Sequence, residues 1–201
     1  MKDKSNRLGQ TPSQTVGPYF SYGLAPEQYG FRHRSIVGGM LRGPETAGDP
    51  IRLEGRVLDG KGQPVSDALI EIWQADAKGR YAHPADPRGQ NSAFKGFGRV
   101  GTGMDPSNRF VFETIKPGSV DGRQAPHINV IVHMRGMMNH AFTRVYFSDE
   151  GAANDRDPVL RSVPAERRGT LIAMCATLPT GTVYRFDIRM QGERETVFFD
   201  A

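Results

Sequence analysis

What most limits the fold open to this chain is how short its apolar runs are. Glycine (24) and proline (14) interrupt the sequence at close intervals, leaving little room for long helices, and the segments between them alternate apolar and polar residues. Ile51-Arg52-Leu53-Glu54-Gly55-Arg56-Val57 sets the pattern and a turn at Asp59-Gly60-Lys61-Gly62 stops it. Similar runs follow at Ala68 to Gln74, Arg109 to Ile115, His127 to Arg135, Thr143 to Phe147, Tyr184 to Met190 and Thr196 to Phe199. Period-two alternation in successive short runs predicts an all-β antiparallel sandwich with one solvated face per sheet. Between Asp149 and Cys175 the pattern turns helical. Asp157 suits a cap and Pro158 and Pro164 suit first turns, which predicts one or two short helices crossing between strands around 158–175. Residues 1–50 lack periodicity and read as an N-terminal arm that needs a surface, on its own domain or a neighbour; residues 51–201 form the sandwich domain.

Several function classes drop out at this level. No window holds about 18 consecutive apolar residues, so no helical membrane span is expected. No apolar stretch follows the charged start Met1 to Arg7, so no secretory leader is expected either. Cys175 is the only cysteine. It can form neither an intrachain disulfide nor a thiolate cluster, it reads as a small buried apolar residue, and a reducing cytoplasm suits such a chain. The net charge of +4 leaves anionic partners open. However, Lys and Arg are scattered, the tightest pairs being Arg32/Arg34 and Arg167-Arg168, so nucleic acid is not expected as a partner.

The segment His127 to Arg135 is the most informative. As a strand it turns Ile128, Val130, Val132 and Met134 to the core. The opposite face then carries His127, Asn129, Ile131, His133 and Arg135, a polar site or else a solvated face with tolerated histidines. Metal binding has little support. The position two residues after His127 is Asn129, a poor ligand. His133 lies roughly 20 Å along the strand, at about 3.3 Å per residue. His140 has no recognisable ligand spacing.

Five segments, in order and across nearly the whole chain, carry a resemblance: Thr11-Pro12-Ser13-Gln14-Thr15-Val16-Gly17-Pro18-Tyr19, Glu71-Ile72-Trp73-Gln74-Ala75-Asp76-Ala77, Thr114-Ile115-Lys116-Pro117-Gly118, Ala125-Pro126-His127-Ile128-Asn129 and Tyr184-Arg185-Phe186-Asp187-Ile188. With them the chain resembles the intradiol ring-cleaving dioxygenases, and within that family the α-type chains that do not bind iron. The resemblance implies a sandwich fold and, in iron-binding members, Fe³⁺ held by two tyrosinates and a His-x-His pair. Here Tyr81 stands at the first tyrosine position, Val120 at the second, His127 at the first histidine and Asn129 at the other. Gln124 replaces the arginine that precedes the pair. Tyr81 and His127 are thus expected to be relics, with no metal and no catalytic residue in this chain's own site.

The resemblance also implies a role for what remains. In such assemblies Gly17, Pro18 and Tyr19 of the arm line the pocket of a β-type partner chain that binds the iron, and Arg135 brings positive charge to that pocket. Arg135 lies roughly 26 Å along an extended strand from His127, too far to serve a home site. A guanidinium there suits the carboxylate of protocatechuate, which O₂ cleaves between its two hydroxyl-bearing carbons. Two rival readings are a stand-alone binding module, which co-purification with a second chain would exclude, and a self-sufficient iron dioxygenase, which a colourless pure chain would exclude.

Overall fold

The computed structural model describes residues 17, 19–89 and 93–200. Nine strands form in chain order: β1 (Pro50–Leu58), β2 (Leu69–Gln74), β3 (Phe97–Gly101), β4 (Arg109–Ile115), β5 (His127–His133), β6 (Ala141–Phe147), β7 (Ile172–Leu178), β8 (Gly181–Arg185) and β9 (Ile188–Arg189). They join in one path, β3-β2-β5-β6-β7-β8-β1-β4, with β9 beside β1. Mostly β with few short helices, the fold is as expected. The sandwich needs correcting to a barrel-like, nearly closed sheet. Two parallel pairs, Tyr146↔Ile172 and Phe147↔Ala173, join its two halves. The sheet is also not wholly antiparallel, since β1 runs parallel to β8 and to β9.

The gap in the ring lies between β3 and β4, and the arm fills it. The Arg99 N–H of β3 donates to Gly38 O (3.2 Å) and the Glu113 N–H of β4 donates to Gly39 O (2.8 Å), while Leu41 N–H donates back to Glu113 O (2.9 Å). Only glycine fits at 39, because a Cβ there would lie 2.5 Å from Val111 O. This part of the first 50 residues therefore lies on its own domain.

Alternation builds the core. Leu53, Phe112, Ile70, Ile72, Ile128 and Val130 point inward and are almost fully buried. Three boundaries differ from expectation. The helical crossover consists of α1 (Gly151–Asn154), α2 (Pro158–Ser162) and a 3₁₀ segment, Ala165–Leu171, after which the chain enters β7 at Ile172. Cys175 therefore sits half-buried in a strand, packed against the core. Asp157 does cap α2, accepting from Leu160 N–H at 2.7 Å, with Pro158 in the first turn; Pro164 is itself the cap of the 3₁₀ segment. The run Tyr184 to Met190 breaks into β8 and β9, and Thr196 to Phe199 makes only an isolated bridge, Phe142↔Phe199.

Candidate functional site

Residues directly opposite in an antiparallel ladder share a face, so the registers of β3, β2, β5 and β6 define the rows of the outer sheet face. One row is Gly101, Leu69, His133; the next is Arg99, Glu71, Ile131, Phe142; the next is Phe97, Trp73, Asn129, Arg144; and His127 sits opposite Tyr146 beyond it. The polar face read from His127, Asn129 and His133 is therefore real, and Ile128, Val130 and Val132 are buried on the other side.

At the first end of this face stand Tyr81, His127 and Asn129, at the positions expected to be relics. Trp73 stacks on the half-buried Tyr81 (5.6 Å, 14°), and Asn129 Nδ2 donates to the Tyr81 hydroxyl at 3.3 Å. Burial raises the Tyr81 phenol above its ordinary value, against the Asn129 hydrogen bond and the Arg144 charge, so it stays neutral. Burial likewise pushes the His127 imidazole below its ordinary value. Its Nδ1 lies 2.8 Å from Ala125 O, which fixes the proton on Nδ1 in the neutral ring. Val120 completes the set as a half-buried side chain, its carbonyl accepting from Arg88 Nη1 (3.0 Å). Gln124 accepts from Arg144 Nη1 (2.9 Å).

Local sequence explains how this end is assembled. The Asp76 carboxylate accepts from Lys78 N–H (2.8 Å) and Arg80 N–H (3.0 Å), forming the turn that delivers Tyr81. Gly118 N–H donates to Asp76 O (2.9 Å), which ties the Pro117-Gly118 loop to the same turn. Thr114 donates to Gln74 Oε1 (2.8 Å) and Gln74 Nε2 donates to Ile115 O (2.9 Å), so the two motif segments hold each other. Below them the fully buried Asp157 accepts from Ala125 N–H (2.8 Å) and the Tyr146 hydroxyl (3.1 Å) besides capping α2. Asp157 was legible only as a cap; its part in holding the strand that carries His127 needed the tertiary structure.

These donors do not fit ferric iron. An amide N–H points at the phenol oxygen where an imidazole lone pair would be required, and a valine stands in place of an anionic phenolate. Among the described residues, no group of three or more His, Cys, Asp and Glu side chains is arranged as a metal site.

The opposite end is open. β5 stops at His133 because Arg135 and Gly136 turn the chain, Gly136 with a φ of 84°. Arg135 therefore stands beyond the strand and not on it, 68% exposed, with Nε donating to the Asp67 carboxylate. Phe20 of the arm packs on the His133 ring (5.4 Å), and Phe20 N–H donates to Gly17 O (3.0 Å), so Gly17, Tyr19 and Arg135 share this end. Pro18, like Thr11 to Val16, lies outside the described residues. Tyr19 is 75% exposed and meets Tyr22 edge to face (5.3 Å). Sequence spacing also gave no hint that His133 and His140 are ring neighbours (5.5 Å), or that Glu71 faces both His133 (3.7 Å) and Arg99 (2.6 Å).

The comparisons with known proteins agree with this fold. The chain belongs to the intradiol dioxygenase family: a dioxygenase family model matches residues 16–192. It is 56% identical to the protocatechuate 3,4-dioxygenase alpha chain of Burkholderia cepacia, over 96% of this chain and 98% of that one. It is 31% identical to the beta chain of the same organism's enzyme, over 85% of this chain and 76% of that one. Among solved structures, the dioxygenase domain of a carbohydrate-binding fusion protein from Streptomyces sp. SirexAA-E shares the fold, with a TM-score of 0.59 at 23% identity over 94% of this chain and 100% of that one.

Proposed function

We propose that this chain is the α-type subunit of a cytoplasmic protocatechuate 3,4-dioxygenase, assembled with a β-type chain that holds the iron. On this reading the assembled enzyme inserts both atoms of O₂ between the hydroxyl-bearing carbons of protocatechuate and gives 3-carboxy-cis,cis-muconate. Ferric iron in the partner supplies the activation of the catechol. This chain contributes the pocket wall through Gly17, Pro18 and Tyr19 and the charge through Arg135. The observation that carries the reading is the contrast within one sheet face. The relic end is sealed by its own hydrogen bonds, while the Arg135 end exposes a cation and an aromatic arm. A guanidinium pairs with a carboxylate through charge-assisted hydrogen bonds.

Substitution tests it. In the assembled enzyme, Arg135→Ala is expected to lower kcat/KM for protocatechuate roughly ten- to hundredfold, the cost of a lost charge-assisted contact. Catechol, which has the same hydroxyls and no carboxylate, is expected to lose far less. Equal losses on both substrates, with dissociation on a sizing column, would make Arg135 an interface residue and sink the assignment.

A further inference from the structure

Resting on the reading of Arg135 as the carboxylate-recognising group, we propose that Asp67 is its positioning residue, holding the guanidinium by one edge so that the other edge faces the aromatic acid. The last pair of the β2–β5 ladder is Leu69↔His133. Two residues further out on each side, in the turns that flank the ladder, are Asp67 and Arg135, and their side chains meet there. There the Asp67 carboxylate takes the Arg135 Nε hydrogen. Nη1 and Nη2 make no hydrogen bond among the described residues, and these two nitrogens form the fork that grips a planar carboxylate.

Asp67 is suited to this task because its own backbone is held. The next residue, Ala68, is buried, with its N–H donating to Thr102 Oγ1 (3.2 Å) and its carbonyl accepting from Thr102 N–H (2.9 Å). The row beneath is covered as well. Leu69 is fully buried on the outer face, between His133, which meets Phe20, and Gly101, where a Cβ would lie 1.6 Å from Gln28 Oε1. Arg135, by contrast, immediately precedes the turn glycine Gly136 and is mostly exposed. A long exposed side chain loses rotamer freedom when it binds, and a fixed anchor at Nε removes part of that loss beforehand. Asp67 touches no substrate on this proposal and acts only through Arg135.

The test uses the assembled enzyme, with protocatechuate and catechol as paired substrates. Asp67→Ala is expected to raise KM for protocatechuate about three- to tenfold with kcat changed less than about twofold, since uniform binding is lost and not chemistry. KM for catechol should hold within about twofold. Asp67→Asn, which keeps an acceptor oxygen for Nε, should restore most of the lost affinity, whereas a merely electrostatic role would leave Asn and Ala alike. An unchanged protocatechuate KM in Asp67→Ala, beside a raised one in Arg135→Ala, overturns the positioning role and leaves the Arg135 reading standing. If Arg135→Ala itself fails to discriminate the substrates, the underlying reading falls and Asp67 with it. Equal losses on both substrates, or loss of the assembly, would make Asp67 structural and also overturn the proposal.

Discussion

The two ends of the outer sheet face carry similar chemistry and spend it differently. At one end Tyr81, Asn129, His127, Gln124 and Arg144 satisfy one another or nearby backbone: phenol with amide, imidazole with carbonyl, guanidinium with side-chain amide. At the other, Arg135 pairs with Asp67, His133 lies under an arm residue, and Tyr19 stands in solvent. Polar groups that pair internally stabilise a fold and offer little to a ligand; groups left half-paired at the surface offer recognition and add little stability. The relic end should therefore respond to substitution through folding, and the open end through turnover.

The largest expected effect is at the relic end. Asp157→Ala strands Ala125 N–H, Leu160 N–H and the Tyr146 hydroxyl in a buried setting. Denaturant unfolding should show a loss of about 3–5 kcal/mol. A loss below about 1 kcal/mol would mean that water or rearrangement satisfies those groups. Tyr81→Phe is milder, removing one acceptor for Asn129 while keeping the stack on Trp73. About 1 kcal/mol of stability should go.

Acid separates the two ends by where stability begins to fall. His127, whose affinity for protons burial lowers from 6.5, contributes stability that is full above about pH 6.5 and is lost as pH drops below it. Glu71 is held below its ordinary value by the close approach of His133, and further by Arg99. Its contribution is present above about pH 4.5 and lost as pH falls further. His127→Gln should flatten the stability profile just below about pH 6.5, and Glu71→Gln below about pH 4.5. Profiles that flatten in the opposite windows would reverse the assignment of the two ends. The smallest effect on folding belongs to the open end. Arg135→Ala, expected to cut turnover of protocatechuate, should change unfolding free energy by less than about 0.5 kcal/mol, because its ion pair with Asp67 is exposed on the arginine side.

Much of this was readable in the chain before any coordinates. Arg109 to Ile115 is a strand with the expected limits, and Asp157-Pro158 starts a helix as cap and first residue. Both signals are local, one from side-chain alternation and one from capping chemistry. Val120 and Asn129 could be set at expected ligand positions because they lie in segments that carry the resemblance or beside them. β3 and β7 were missed. Phe97-Gly98-Arg99-Val100-Gly101 carries two glycines and little alternation, and Ile172 to Leu178 follows a helical stretch without a break.

The sequence by itself determined the alternation that makes a β core and the short helical crossover, because each depends on residues near one another in the chain. Tertiary structure decided the rest. It drew the two halves into one nearly closed path and set Gly39 in the gap, where only a residue without a Cβ passes between Val111 and Val100. It also set Asp67 against Arg135, 68 positions away, and joined Asn129 to Tyr81 across 48. Pairings of that separation follow from strand register, and register is fixed only when both strands pack their apolar faces into the same core.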